Sequence, residues 1–432
     1  MLFFERFRGS HSPAEAQLIE PKEEERHVVA VFGAGASMAA GGIGVADIFK
    51  KGFTTRFERH RRWARTLKSF LRDVFCVNDC EFGPCTNLPD IILVLSLVDL
   101  AIDRGDSLVA QNRAARRKTW THAELVEIRE KLEGLIIQTV LEPYFKQFKQ
   151  QRTAISPHEA ARSFVHEIFL DSLHRQDPAF SLISMNYDMF VERAVMQHLA
   201  WLGSPDYRES ATCPIYSVAF EEPVLHTCGV RTLHKLHGSC DWAHCSGCGR
   251  ITLLYTSHYL RERNLTQEKR TLEKFMAQLL GSALARCDRC GSLLRPVIIP
   301  PTLVKNYSNS HIRHVWSHAE RVLMRATEIY FVGYAMATDD LEFISMLKRH
   351  TQDIDRSRIH VITPDEGAIW RYHSVFGRSI DIQLMKFEEW VERFCGDLIP
   401  DYCRYSESRA RILKDRAGQG PPAGVPVVER TG

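Results

Sequence analysis

Apolar residues of this chain fall into short runs separated by longer stretches of helical period. Seven runs rich in Val and Ile predict strands, which cover 27–32, 181–185, 232–236, 296–299, 328–333, 358–363 and 381–387. Most of the runs do not alternate with polar residues, as is typical of parallel strands covered by helices on both faces. Between the first two runs, the segments 89–104 and 121–148 have the apolar spacing of amphipathic helices. The pattern predicts an α/β fold with a mainly parallel sheet and a large helical insertion.

The same pattern sets the expected domain organisation. A main α/β domain is expected over 27–410, after an N-terminal segment over 1–26, with the helical insertion at about 50–175. A second interruption, at about 242–295, carries paired cysteines. The tail at 411–432 is rich in Pro and Gly and is predicted to be disordered.

The amino-acid composition limits which kinds of partner and which cellular compartment we expect. The 432 residues include 56 Lys and Arg against 53 Asp and Glu, so net charge gives no reason to expect a nucleic acid or a membrane as partner. The longest apolar segment, 91–102, is too short to span a bilayer and contains Asp99. We therefore expect a cytoplasmic protein whose 12 cysteines are reduced thiols or metal ligands.

A glycine-rich segment, VFGAGASMAAGGIG at 31–44, begins within the first predicted strand. A glycine-rich turn between a strand and a helix exposes backbone N–H groups that can bind a diphosphate. The usual dinucleotide fingerprint requires a small residue where this chain has Met38, and no acidic residue follows a second strand at the usual spacing. The residues alone leave two interpretations open: a nucleotide-binding loop, or a tight turn without a ligand.

Cysteines occur in two groups with different expected roles. Two C-x2-C pairs, separated by 38 residues, are formed by Cys245, Cys248, Cys287 and Cys290. Four thiolates in this arrangement predict a structural Zn²⁺ site, because they complete a tetrahedron and leave no position for a water or a substrate. A separate trio, Cys76, Cys80 and Cys85, has no evident fourth ligand and is expected to consist of free thiols.

Polar residues follow two further predicted strands, at the edge where open α/β sheets bind ligands. Asn186 and Asp188 come directly after the second predicted strand, and His237 follows the third. Each residue taken alone has a simpler structural explanation than catalysis. Asn186 is placed to cap the helix that follows it, and His237 to be a hydrogen-bonded histidine of the core.

Taken together, the motifs resemble the sirtuin family in their order, from residue 27 to about residue 365 apart from the helical insertion. They are GAGAS, NYD, HGS, the two C-x2-C pairs, LRPVIIPP and FVGYAMATDD. The resemblance implies a Rossmann-like sheet that binds NAD, with a small zinc-ribbon module inserted after the histidine. It also implies that Asn186 and His237 are catalytic, the histidine as general base. The NAD contacts that it implies are Gly33, Ala34, Gly35, Ser37, Asn186, Asp188, Gly333 and Tyr334.

The chain departs from protein-deacylating sirtuins at three motifs. GGIGVADIFK replaces G-I-P-D-F-R after the glycine loop, Met185 replaces an amide, and Gly333-Tyr334-Ala335 replaces Gly-Thr-Ser. With the long helical insertion, these departures resemble the bacterial sirtuin-like domains of antiphage defence, which hydrolyse NAD. That resemblance implies an NAD⁺ hydrolase that forms nicotinamide and ADP-ribose. It also implies a homo-oligomer and either a partner ATPase or a phage-derived trigger.

Two other functions remain open from the sequence. An NAD-dependent protein deacylase or an ADP-ribosyltransferase would use the same residues, with another group in place of water as the nucleophile at C1′. The third hypothesis is a noncatalytic subunit that binds NAD or ADP-ribose as a scaffold. The presence of both Asn186 and His237 argues against a scaffold, because binding alone requires neither residue.

Overall fold

The computed structural model describes residues 26–55, 61–78, 87–111, 118–150, 156–176, 180–201, 233–253, 286–287 and 289–407. Its strands are, in chain order, β1 (Val28–Phe32), β2 (Leu108–Val109), β3 (Thr119–Trp120), β4 (Ser181–Ser184), β5 (Leu233–Lys235), β6 (Gly238–Cys245), β7 (Ile251–Leu253), β8 (Leu294–Ile298), β9 (Glu328–Val332), β10 (Ile359–Ile362) and β11 (Asp381–Gln383). Six of them form one parallel sheet, and three others form a separate antiparallel sheet.

The parallel sheet has the strand order β11-β10-β9-β1-β4-β5. Strand β1 lies in the middle, paired in parallel with β4 on one side and with β9 on the other. From β1 the chain adds β4 and then β5 on one side of the sheet. It then returns to the other side of β1 and adds β9, β10 and β11, which is the doubly wound Rossmann order. The predicted α/β, Rossmann-like fold is confirmed by this order. It places the topological switch point, where such sheets bind ligands, between the carboxyl ends of β1 and β9.

Helices cover the parallel sheet and form the insertion between β1 and β4. They are α1 (Ala34–Ala39), α2 (Ile48–Thr55), α3 (Arg61–Phe75), α4 (Ile91–Arg104), α5 (His122–Gln150), α6 (Pro157–Ser163), α7 (Val165–Gln176), α8 (Phe190–Trp201), α9 (Ser310–Met324), α10 (Leu341–His350), α11 (Glu366–Phe376) and α12 (Phe387–Phe394). The helices predicted at 89–104 and 121–148 are confirmed as α4 and α5. None of the helices in the described ranges is both long enough and apolar enough to cross a membrane.

Local sequence explains where α4 begins and ends. The Asp90 side chain accepts a hydrogen bond from the Ile92 backbone N–H, which satisfies one of the free donors at the start of a helix. Gly105 ends the helix with a φ of 68°, a left-handed conformation that favours glycine. Residues 1–25 of the N-terminal segment and the tail at 411–432 lie outside the described residues, and the expected domain boundaries stay predictions.

The small antiparallel sheet has the order β7-β6-β8, and its strand β6 follows β5 of the parallel sheet along the chain. Strand β6 begins at Gly238, whose φ is 76° and where an added Cβ would lie 2.0 Å from the carbonyl oxygen of Val297. The strand predicted at 296–299 lies here as β8, so its assignment to the parallel sheet was wrong. A short apolar run does not encode its pairing partner, and β8 pairs antiparallel with β6.

Candidate active site

A cavity of about 390 Å³ lies at the carboxyl edge of the parallel sheet, beside the switch point. This volume is within the range of about 300–1,000 Å³ that is typical of small-molecule sites. The sequence-predicted residues that line the cavity are Gly33, Ala34, Gly35, Asn186, Asp188, His237, Gly333 and Tyr334. Ser37 is buried behind this lining and contacts it through Asn186. The structure thus brings the separate motifs of the sequence together in one place.

The glycine loop between β1 and α1 packs directly on the backbone that follows β9. The Gly33 N–H donates to the carbonyl oxygen of Val332 at 3.0 Å, and the Gly35 N–H donates to that of Gly333 at 2.8 Å. A Cβ at Gly35 would lie 2.8 Å from the Cα of Gly333, and one at Gly33 would lie 2.4 Å from the Cα of Tyr334. The structure therefore gives a reason for these two glycines other than the expected diphosphate: two backbones touch here.

Asn186 fixes the glycine loop to the end of β4. Its Nδ2 donates to the carbonyl oxygen of Gly33 at 2.8 Å and to Oγ of Ser37 at 2.9 Å. Its backbone N–H donates to Oγ of Ser184 at 3.2 Å. The side chain is buried and has one orientation that satisfies both acceptors, so the amide is held rigidly at the cavity wall.

Asp188 lies two residues further along, just before α8, and its Oδ1 accepts from the N–H of Phe190, the first residue of that helix, at 3.1 Å. The buried Lys235 ammonium donates to the Asp188 carbonyl oxygen and to Oε1 of Glu192, the latter at 2.6 Å. Oε1 of Glu192 also accepts from the Ser239 hydroxyl at 3.1 Å. Burial raises the pKa of Glu192, although the charge of Lys235 opposes the rise. This buried pair stabilises the strand ends behind the cavity.

His237 follows β5 and lies at the cavity with only a small part of its surface exposed. Its Nδ1 is 3.1 Å from the carbonyl oxygen of Met185. A carbonyl oxygen only accepts, so Nδ1 carries a proton and donates it. The other ring nitrogen, Nε2, is 3.4 Å from Oδ1 of Asp340 and has no hydrogen-bond partner among the described residues.

A charged cluster beside His237 was missed by sequence analysis. The Lys305 ammonium contacts Oδ1 of Asp340 and lies 3.2 Å from Oδ2 of Asp339, while the Tyr334 hydroxyl donates to Oδ2 of Asp340 at 3.0 Å. Burial opposes ionisation of Asp340, but its close neighbours, among them the Lys305 ammonium, outweigh burial and hold the pKa of Asp340 well below its usual range. The only signal in the sequence was a pair of carboxylates soon after a predicted strand.

The two C-x2-C pairs meet in the small antiparallel sheet. The four sulfur atoms of the pairs lie within 4.8 Å of one another, with Sγ separations of 3.3 Å for Cys245 and Cys290 and 3.8 Å for Cys248 and Cys287. In a tetrahedral zinc site, bonds of about 2.3 Å place neighbouring sulfurs about 3.8 Å apart. The cluster therefore fits the predicted structural zinc. Cys76 is exposed, and Cys80 and Cys85 lie outside the described residues, so the expectation that this trio consists of free thiols stays a prediction.

No protein-family profile and no curated protein matches the chain. Solved sirtuin structures align with most of it at low similarity. "Structure of Sir2Tm bound to a propionylated peptide" is 12% identical, with 87% of this chain and 94% of that chain covered and a TM-score of 0.39. A crystal structure of a Sir2 homolog in complex with NAD is 16% identical, with 90% of this chain and 91% of that chain covered and a TM-score of 0.37.

Similarities this low carry no argument about function, so the class of the protein rests on its own geometry. Strand order and cavity position define a doubly wound α/β protein with a ligand site at the switch point.

Proposed function

We propose that this protein is an NAD⁺ glycohydrolase, which splits NAD⁺ into nicotinamide and ADP-ribose. The observation that carries the proposal is the convergence of Asn186, Asp188 and His237 in one cavity at the switch point. Doubly wound sheets bind dinucleotides at this position. The order of the motifs around these residues, which resembles that of sirtuins, supports NAD as the ligand.

The chemistry requires stabilisation of an oxocarbenium-like centre at C1′ and an oriented nucleophile. Nicotinamide is already a cationic leaving group in NAD⁺, so its departure needs no proton. Asn186 is held by Gly33 and Ser37, and a rigid dipole of this kind is the preorganised group that favours such a transition state. His237 presents an Nε2 that has no hydrogen-bond partner in the part of the chain that the structure describes, which leaves it able to accept a proton from water or from a ribose hydroxyl.

The helical insertion supports hydrolysis by shaping the same cavity. Ile92 of α4 and Val140 of α5 contribute apolar side chains to its wall, together with Ile43, Val45 and Ile48. Apolar walls exclude bulk water and strengthen the electrostatic interactions within a site. Zinc at the four cysteines would hold β6 and β8 together and take no part in the reaction.

The biological role that we propose is depletion of NAD by an effector of bacterial antiphage defence in the cytoplasm. It rests on the resemblance described above and on the insertion between β1 and β4. The same resemblance favours a homo-oligomer that is restrained until a partner ATPase or a phage-derived trigger activates it.

Product analysis tests the proposal directly. The purified protein is incubated with NAD⁺, with and without an acetylated peptide, and the products are separated chromatographically. We expect nicotinamide and ADP-ribose without peptide, and a loss of about two to four orders of magnitude in turnover for Asn186→Ala. His244→Ala is a matched control, because this histidine lies on β6 beside His311 and does not line the cavity.

Two outcomes would contradict the proposal. If an active preparation releases nicotinamide only when peptide is present, with O-acyl-ADP-ribose as product, the protein is a deacylase. If the protein binds neither NAD⁺ nor ADP-ribose in calorimetric titrations, the cavity serves another ligand.

A further inference from the structure

We propose that Asp340 is a positioning residue for His237, which orients the imidazole ring and stabilises it when Nε2 takes up a proton. The inference rests on the proposed function, because it assigns a proton acceptor to that reaction. It starts from the placement of the two side chains, which come from different elements: His237 follows β5, and Asp340 immediately precedes α10. Both line the cavity.

The two nitrogens of His237 face two different acceptors. Nδ1 donates to the carbonyl oxygen of Met185, which fixes the neutral tautomer with its lone pair on Nε2. Nε2 faces Oδ1 of Asp340 at 3.4 Å without a hydrogen bond. A proton added to Nε2 would therefore appear directly beside a carboxylate, so the charged ring is stabilised by its nearest neighbour.

Asp340 is itself held in place, as an orienting group must be. The Tyr334 hydroxyl donates to Oδ2, and the Lys305 ammonium contacts Oδ1. Only 7% of the Asp340 side chain and 3% of the Lys305 side chain are exposed, so solvent screens this interaction little. A base oriented by a third group that is itself fixed is the general arrangement of activated catalytic sites.

The cluster beside His237 carries more negative than positive charge. Asp339 and Asp340 share the single ammonium of Lys305, which leaves one carboxylate charge without a cation in this cluster. A phenol, Tyr187, also lies beside His237, with its ring centre 6.2 Å from that of the imidazole. Burial raises the pKa of Tyr187 well above its ordinary value, so this phenol stays neutral.

In the proposed step, water replaces nicotinamide at C1′ of the ribose. The oxygen of a water molecule forms a bond to C1′, one of its protons moves to Nε2 of His237, and nicotinamide leaves with the electron pair of the broken C–N bond. Asp340 exchanges no proton in this step. Its carboxylate remains ionised and faces the imidazolium that has formed.

A double-mutant cycle tests this role. We expect Asp340→Asn to lower kcat for NAD⁺ hydrolysis by about 10- to 100-fold with little change in KM, since the lost interaction acts after substrate binding. In a His237→Ala background the same substitution is expected to lower kcat by less than about twofold, because the residue that it orients is absent. Glu342→Gln, which removes one negative charge from α10 outside the cavity, is the matched control. Equal effects in both backgrounds would show a merely structural role and overturn the inference.

Nuclear magnetic resonance gives a readout that is independent of activity. Histidines are labelled with ¹⁵N, and His237→Gln identifies the ring signals of this residue among those of the 19 histidines. Asp340→Asn is expected to shift the Nε2 signal more than the Nδ1 signal, and Glu342→Gln is expected to move neither. Unchanged Nε2 signals would overturn the inference even if the protein hydrolyses NAD⁺, and a shift would support it even if the substrate is a different one. If Asp340→Asn does not fold, Tyr334→Phe removes the hydroxyl that holds Oδ2 and is expected to shift the same signal less.

Discussion

The two edges of the parallel sheet each carry a histidine beside carboxylates. At the amino edge, Glu328 at the start of β9 accepts hydrogen bonds from Arg26 at 2.6 Å and from the Tyr330 hydroxyl at 2.9 Å. His360 of β10 places Nε2 3.3 Å from Glu328 and Nδ1 3.0 Å from Asp381. Both ring nitrogens therefore face carboxylates, and none of these residues lines the cavity.

The carboxyl edge of the sheet also places a histidine beside a carboxylate, but the histidine there is less completely hydrogen-bonded. His237 faces Asp340, but its Nε2 makes no hydrogen bond to any residue that the structure describes, and the pair lies at the cavity wall. The difference shows that residue type alone does not define a site. A satisfied pair at the amino edge contributes stability, whereas an incompletely satisfied pair at the carboxyl edge is available to a ligand, because open α/β sheets bind ligands at that edge.

Replacing His237 or His360 by alanine should show the largest difference between the two edges, in turnover for one variant and in stability for the other. His237→Ala is expected to lower NAD⁺ turnover by about two to four orders of magnitude while changing the free energy of unfolding little. His360→Ala is expected to lower the free energy of unfolding by about 1–3 kcal/mol, because it leaves buried carboxylate oxygens with fewer partners. Its turnover is expected to stay within about threefold of wild type. NAD⁺ turnover and urea denaturation are measured for both variants. Equal losses of turnover in the two variants would contradict the expected difference between the two edges.

The cysteine cluster provides a second test, since β6 runs from the residue after His237 to Cys245. We expect about one zinc per chain by metal analysis, and a loss of several kcal/mol in stability for Cys287→Ser, because zinc binding and folding are coupled. Cys395→Ser is the control, as this buried cysteine lies outside the cluster. Folded protein without zinc would contradict the assignment, and a loss of turnover at unchanged stability would indicate that the metal acts in the reaction.

The sequence predicted the parts of the site that are local in the chain. Asn186, Asp188 and His237 each follow an apolar strand, so their position at the sheet edge follows from the strand pattern. The cysteine pairs were likewise predictable from their spacing. Lys305 and Asp340 were not, because they reach His237 only through the folding of β8, β9 and their connections, and no spacing encodes that approach.

One prediction about strand pairing was wrong, and one strand was missed, for a similar reason. The run at 296–299 was assigned to the wrong sheet, and β6 was not predicted because its residues GSCDWAHC lack an apolar pattern although nearly all are buried. The glycine loop was predicted at the correct place, but its packing on Gly333 depends on a strand almost 300 residues away.

That packing leads to a third prediction. Gly35→Ala is expected to lower the free energy of unfolding by about 1–3 kcal/mol, because its Cβ would overlap with the backbone of Gly333. ADP-ribose affinity should fall as well, since the loop must move to relieve the overlap. Gly44→Ala is the control, because its Cβ would meet only the flexible Met38 side chain, at 3.3 Å. Urea denaturation measures the free energy of unfolding, and calorimetry measures the affinity for ADP-ribose. If Gly35→Ala loses affinity but keeps its stability, Gly35 serves only to contact the ligand.

The smallest expected effect concerns pH and the amino edge. Burial opposes ionisation of Glu328, but hydrogen bonds from His360, Arg26 and Tyr330 hold its pKa at about 2, below the ordinary value of 4.5. The stability that Glu328 contributes is therefore present above pH 4.5 and is lost as the pH falls towards 2. Burial lowers the pKa of His360, yet Glu328 and Asp381 outweigh burial and raise it above 6.5, so its contribution is complete below pH 6.5 and is lost at higher pH.

The two contributions overlap between pH 4.5 and 6.5, where the amino-edge group is most stabilising. Glu328→Gln removes both, since it deletes the carboxylate and one partner of His360. We expect wild type to exceed this variant by about 1–2 kcal/mol near pH 5.5 and by less at about pH 3 and pH 9, measured by urea denaturation at each pH. Glu392→Gln is the control, because its partner His158 lies 2.5 Å away with 66% of its side chain exposed, where screening makes such pairs weak. A difference that does not vary with pH would mean that Glu328 acts through packing alone, and the contrast between the two edges would then rest on His237 and Asp340.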